Sequence, residues 1–413
     1  MDRLNQLSGQ LSPSSKQALL QKNPDDVVIV GAYRSALTKG GKGGFKDVGS
    51  DYLLATFLKE FVKKTGVDPN LIEDVAVGNV LNKGAGATEH RAASLASGIP
   101  HTAGFVAINR FCSSGLMAIA DIANKITAGE IDCGVASGVE SMSANYGPQS
   151  LAKIDVHYQE DPAFEKCMIP MGITNENVAA KFNVSRKVQD EFAAESYQKA
   201  EAAVASGKFK DEILPLESFL AEEDDDDNVT YKKIIVDTDE GPRKGVTAAS
   251  LGKIRPAFSA DGVTTAGNAS QISDGVAAVL LMRRSLAEKN GYKIEGKFVL
   301  CTSVGVPPEI MGIGPSVAIP KVLKKTGLTI DDISVFEINE AFAAQCLYSA
   351  QACNIPPSKL NINGGAIAIG HPLGCTGARQ YATILRLLKK GEFGLTSMCI
   401  GTGMGAASIL IKE

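Results

Sequence analysis

No tryptophan occurs in these 413 residues, aromatic side chains make up only 6% of them, and no two cysteines stand at C-x-x-C spacing. Nor do cysteine and histidine cluster at the spacings that hold zinc, so no metal site is expected. The eight cysteines, with no secretory leader ahead of them, read as free thiols of a reducing compartment, most of them small buried hydrophobes. An excess of either charge is also lacking, 42 lysines and arginines facing 46 acids for a formal net charge of −4. Nucleic acid is therefore not an expected partner, since its binding rests on clustered lysine and arginine. No apolar run reaches the ~20 residues of a membrane-crossing helix, so no membrane span is expected.

Glycine, by contrast, is abundant at 42 residues, beside 44% hydrophobic and 21% charged residues. That balance can bury a large core, and at ~150 residues per domain the length suits two or three domains. Few aromatics and many glycines point to an α/β protein with tight strand-to-helix turns. From Val27 the chain alternates accordingly: VVIVGA, a helical DYLLATFLKEFVKKTGV, DVAVGNV, a helix around HRAASLASG, and FVAIN. This rhythm predicts a parallel sheet with helices on its faces.

An internal repeat extends the reading. VKKTGV at 62–67 matches LKKTGL at 323–328, and each precedes an acidic turn and a strand, IEDVAVGN and DDISVFEIN. Upstream, VVIVGAYRSA parallels FVLCTSVGVPP; downstream, FVAINRFCSSGLMAIA parallels LNINGGAIAIGHPLGCTGARQYATI. Two copies of one α/β unit follow, 25–290 and 291–413, behind a segment 1–24. An insertion at about 145–265 interrupts the first copy, with a strong helix, RKVQDEFAAESYQKAEAAVAS, and an acidic run, EEDDDDN. The run reads as a solvated loop, because it lacks the spaced ligands and glycine of a calcium site. TKGGKGGFK at 38–46 lacks the GK[ST] of a phosphate-binding loop and reads as a flexible surface loop.

Four stretches can carry chemistry. Cys112 in NRFCSSG sits between a strand and a helix, where backbone N–H groups and the helix dipole favour a thiolate. A packing cysteine fits that position about equally well. His371 ends an apolar run between Gly370 and Pro372, at the junction of the second copy that matches Cys112. Cys399 opens the glycine turn CIGTGMG, whose N–H groups suit an oxyanion. No helix or later acidic residue follows to make it a dinucleotide site. Asn339 and Glu340 follow a strand and begin a helix, where an asparagine is explained by capping alone.

Together NRFCSSG, NEAFA at 339–343, GGAIAIGHPLGCTGAR and CIGTGMG, with RPAF and TTAGNASQISDG between them, resemble the thiolase family from about residue 25 onward. Within it they are most similar to the peroxisomal 3-ketoacyl-CoA thiolases of fungi. The resemblance implies a duplicated five-layer αβαβα core with an inserted loop domain, and a homodimer. It implies CoA-dependent cleavage of 3-ketoacyl-CoA to acetyl-CoA and a shortened acyl-CoA, the last step of β-oxidation, by a ping-pong route through acyl-Cys112. Acyl-CoA and CoA are then substrates, and no cofactor is needed.

By the same resemblance His371 is the base, and Cys399 exchanges the proton on the departing acetyl-CoA. Asn339 positions a water for the enolate oxygen, while the N–H groups of Cys112 and Gly401 receive the thioester oxyanion. Ser270 lies near pantetheine and Met171 lines the acyl site. Arg3-Leu4, then five residues, then Gln10-Leu11 is similar to a type 2 peroxisomal signal, which implies an import receptor as partner. Phe111 departs from the family's usual polar residue, and Pro170 stands where acetoacetyl-CoA-forming members have histidine. The alternatives are an acetoacetyl-CoA thiolase working in condensation and a non-catalytic acyl-CoA-binding protein.

Overall fold

In the computed structural model, which describes residues 16–150, 152–223 and 228–413, the opening apolar run becomes strand β1 (Val27–Arg34), buried along nearly its whole length. A run with so few polar positions needs cover on both faces of its sheet. A two-residue strand, β2 (Thr38–Lys39), follows, then helix α1 (Ser50–Thr65), β3 (Asp74–Gly78), α2 (Ala87–Ala96), β4 (Gly104–Ile108), α3 (Ser114–Ala128) and β5 (Cys133–Ser141). The insertion carries α4 (Met171–Lys181), α5 (Arg186–Ala205) and a hairpin of β6 (Leu216–Glu223) and β7 (Val229–Val236), before β8 (Ser273–Arg283) returns to the first copy. The second copy runs β9 (Gly296–Gly305), α6 (Gly314–Thr326), β10 (Ile333–Ile338), α7 (Ala343–Ala352), α8 (Thr376–Leu387), β11 (Phe393–Ile400) and β12 (Met404–Lys412).

The repeated KKTG now has a cause. Gly66 and Gly327 end α1 and α6 in the left-handed region, at φ 67° and 70°, where a side chain would be strained. The lysines before them face the negative end of the helix dipole.

The strand order is β10-β11-β12-β9-β1-β8-β5-β3-β4, with β2 beside β8. From either end inward it is the same pattern twice, and the two copies meet where β1 and β9 share only Val28–Lys297 and Ile29–Gly296. In place of a second β4 there is a single bridge between Phe336 and Leu360. The sheet is mixed rather than parallel: β3, β4 and β5 are parallel neighbours, as are β10 and β11, but β8, β1, β9 and β12 pair antiparallel. The reason is local at β11 and β12, since a three-residue glycine turn can only reverse the chain.

Helices α3 and α8 pack on each other between the two halves of the sheet, α1 covers the far side of the first half and α6 that of the second. The central pair crosses at its first turns. A Cβ on Gly115 would lie 2.5 Å from the Gly374 carbonyl oxygen and 3.1 Å from the Ala378 nitrogen. One on Gly377 would lie 2.3 Å from the Leu116 nitrogen, so only glycines allow this approach.

One reading of the loops is corrected and one is narrowed. The segment 38–46 is anchored rather than flexible: Phe45 is fully buried, and the Glu240 carboxylate accepts the N–H groups of Lys39 (3.1 Å) and Gly44 (2.9 Å). The first two acids of the run, Glu222 and Glu223, end β6, and Lys232 on β7 lies 3.6 Å from Glu222. Asp224 to Asp227, and the N-terminal pattern at Arg3 to Leu11, lie outside the described residues. Among the described residues no helix is long and apolar enough to cross a membrane.

Candidate active site

Cys112 lies in the turn between β4 and α3, and side chains tie that turn down. Asn109 Oδ1 accepts the Phe111 N–H (3.0 Å), and Ser114 Oγ accepts from Arg110 N (2.9 Å) while donating to the Phe111 carbonyl (2.6 Å). They hold Phe111 at φ 46°, a left-handed conformation that costs a side-chain-bearing residue roughly 1–2 kcal/mol. Such strain persists only where its surroundings over-determine it, and here it turns the next residue, the cysteine, toward the β11–β12 turn. A Cβ on Gly401 of that turn would meet Met171 Sδ at 3.5 Å and the Phe111 ring at 3.7 Å.

Cys112 keeps some exposure, yet burial of its thiol raises its pKa to about 11. The N–H groups of Gly401 and Cys112 itself act in the opposite direction, and the Glu140 charge adds to the rise. The thiolate that the helix end was expected to favour is therefore not what the site gives at rest, because burial outweighs these N–H groups. Iodoacetamide alkylation of Cys112 is expected to accelerate about tenfold per pH unit from pH 7 to 10, as the thiolate fraction grows. A rate that levels off near pH 7 would contradict it.

Cys399, at the end of β11, is fully buried with Met311, Ala341 and Phe342, and Met171 packs against this cluster. Burial holds its thiol well above the ordinary range, with the Cys112 charge next in importance. His371 is also buried, and burial with the nearby Arg379 lowers its pKa to about 3. Its tautomer follows from its neighbours. Thr376 Oγ1 donates to the Pro372 carbonyl (3.2 Å), so it accepts from His371 Nδ1 (2.6 Å), leaving Nε2 to accept from Asn339 Nδ2 (3.2 Å). Asn339 thus does not cap α7, which begins at Ala343, and its Oδ1 has no partner among the described residues.

Ser270 donates its N–H to Ala341 (3.0 Å), while the carbonyl of Gln271 accepts the N–H of His371 (3.1 Å). The seven expected residues therefore lie on turns that meet: Cys112 with Gly401 and Met171, Cys399 beneath them, His371 with Asn339, and Ser270 on the strand-like segment joining the last two loops. Of the other histidines, His90 is fully buried on α2 between Ser50 Oγ (3.0 Å) and the Ala85 carbonyl (3.2 Å), a structural arrangement.

Sequence reasoning missed Glu140. Fully buried at the end of β5, it accepts from Asn79 Nδ2 (3.1 Å) and from the N–H groups of Val80 (3.1 Å), Leu81 (3.1 Å) and Gly374 (2.9 Å). It joins the first copy to the His371 loop of the second. Burial raises its pKa to about 7 against those four bonds. Nothing local in GVES signals this, because its partners lie about 60 and 234 residues away.

Residues 27–285 match the thiolase N-terminal domain and residues 292–412 the thiolase C-terminal domain. The peroxisomal 3-ketoacyl-CoA thiolase B of Candida tropicalis is 70% identical over 414 residues, covering the whole of both chains. The peroxisomal 3-ketoacyl-CoA thiolase of Saccharomyces cerevisiae is 60% identical over 96% of this chain and 94% of its own. The crystal structure of the dimeric peroxisomal thiolase of Saccharomyces cerevisiae superposes with a TM-score of 0.90 at 60% identity, covering 96% of this chain and all of that one. A second structure of that enzyme, described as five-layered and built from two core domains of identical topology, gives 0.80 at 55% identity, over 95% of this chain and all of that one.

Proposed function

The chain belongs to the thiolase family, and from that premise we infer that it is a 3-ketoacyl-CoA thiolase of the peroxisome, an acyltransferase of fatty-acid β-oxidation. The observation that carries the chemistry is one thiol, Cys112, facing the Gly401 N–H and a second, protonated thiol, Cys399, while the loop of a neutral imidazole, His371, packs against the start of the helix that follows Cys112. Carbon–carbon cleavage needs a nucleophile, a base for its proton, an oxyanion site and an acid for the leaving carbon.

His371 Nε2 takes the Cys112 proton once Asn339 yields that lone pair, and Sγ attacks the 3-keto carbon. The C2–C3 bond breaks, its electron pair passes to the acetyl-CoA enolate, and the carbon takes a proton from Cys399. The acyl group stays on Cys112, its carbonyl oxygen facing the N–H groups of Cys112 and Gly401. The imidazolium returns its proton to Cys399. The neutral ring then takes the proton of incoming CoA, whose sulfur attacks the acyl carbon and displaces the Cys112 thiolate; acyl-CoA leaves, and the ring reprotonates Cys112. No redox or prosthetic group is called for, and CoA is a substrate. On this reading Ser270 lies near the pantetheine of CoA and Met171 lines the acyl site.

On the same reading the chain divides at about 290 into two thiolase halves, the first carrying the loop domain 145–265. It works as a homodimer, and residues 3–11 engage an import receptor.

CoA-dependent cleavage of 3-ketohexadecanoyl-CoA and of acetoacetyl-CoA tests the assignment. Good turnover of the long chain is expected. Turnover confined to four carbons would favour the acetoacetyl-CoA enzyme, and ligand binding without cleavage would favour a carrier.

A further inference from the structure

We propose that the open cavity of about 700 Å³ walled by Ala152, Ile154, Phe164, Met168 and Ile169 receives the distal end of the substrate's acyl tail. The proposal rests on the reading of the chain as a 3-ketoacyl-CoA thiolase. It adds to that reading a tail site outside the catalytic cluster.

Size and lining fit a hydrocarbon. Ligand sites of ~300–1,000 Å³ with mostly apolar walls are the common kind. Here two aliphatic chains, a thioether and a phenyl ring face the space, with Lys153 and Glu165 as its charged members. The Phe164 ring is held by stacking on Tyr158, centroids 5.0 Å apart. Phe164 and Met168 remain 38% and 41% exposed, in a stretch that also leaves Val156 69% exposed. So much uncovered apolar surface on one segment marks a binding face.

The cavity adjoins the site along the chain. Ile169 lies two residues from Met171, no more than ~7 Å along the backbone. The short helix Pro162–Cys167, which carries Phe164, is fixed to the same support: its Lys166 pairs with Glu309 at 3.2 Å. Glu309 belongs to the turn Pro308–Ile313, whose Met311 packs with Cys399 and Met171. A four-carbon acyl group ends at Met171. A long chain passing Met171 enters the cavity, where an unbranched thioether adapts to different lengths.

Ala152→Trp fills the cavity and Phe164→Asp places a charge in its wall; both positions are exposed, so the fold should tolerate them. Each buried methylene contributes about fourfold to affinity, so KM for 3-ketohexadecanoyl-CoA is expected to rise at least tenfold in either variant. KM and kcat for acetoacetyl-CoA should stay at wild-type values. Should Ala152→Trp fail to fold, Phe164→Asp decides alone, and Phe164→Ser replaces it if needed. Equal effects on both substrates, no effect, or a change only in oligomeric state overturns the tail site. A wild-type protein that cleaves neither substrate would sink the thiolase reading instead.

Discussion

Cys112→Ser is expected to fold normally and to lose at least ~10³-fold in CoA-dependent cleavage, about 4 kcal/mol of transition-state stabilisation. The substitution keeps the turn intact, because the bonds that shape it come from Asn109 and Ser114 rather than from the thiol. What it removes is the one nucleophile that a neutral imidazole can deprotonate at a useful rate. With the thiol at about 11 and the imidazole at about 3, proton transfer from Cys112 to His371 is uphill at rest. A serine hydroxyl, far less acidic, makes it prohibitive. Intact-protein mass spectrometry after adding 3-ketoacyl-CoA without CoA should show one acyl group per wild-type chain, mapping to Cys112, and none on the variant. An adduct elsewhere, or a variant retaining a tenth of the activity, contradicts the assignment.

Arg34→Met should cost roughly 3–5 kcal/mol of stability, because it strands two buried carboxylates. The guanidinium is completely buried; Nε donates to Glu212 at 2.6 Å, and Nη1 and Nη2 donate to Asp239 at 2.7 and 2.8 Å. Both acids belong to the insertion, so this triad clasps that segment to β1 of the first copy. Urea unfolding measures the loss. The triple variant Arg34→Met, Glu212→Gln, Asp239→Asn should recover part of it, since neutral amides carry no stranded charge. A loss below about 1 kcal/mol in the single variant would mean that water or neighbouring groups replace the arginine.

Much of the fold could be read from rhythm. VVIVGA, DVAVGNV and FVAIN became β1, β3 and β4 because strand burial is written in apolar runs, and KKTG marked two helix ends because glycine alone takes φ near 70° without strain. Strand direction in the middle of the sheet was not legible, since β8 reaches its neighbours only after the insertion. The 38–46 loop was misjudged for a similar reason: its anchor, Glu240, is some 200 residues away. Cys112 and His371 stood out by position, but the direction of their pKa shifts depends on how deeply they are buried. No local pattern records that depth.

The glycine crossing of α3 and α8 bears on origin. Gly115 and Gly377 are each the second residue of their helix, and the contacts are reciprocal: Gly115 faces Ala378, and Gly377 faces Leu116, the residue after each partner glycine. Residue i meeting j while j meets i is the signature of a two-fold axis between identical subunits. The interior seam is thus what a dimer of single repeats would have used as its interface before the copies were joined in one chain. Fusion freed the two sides from having to stay alike, and one side now carries the thiol and the other the imidazole.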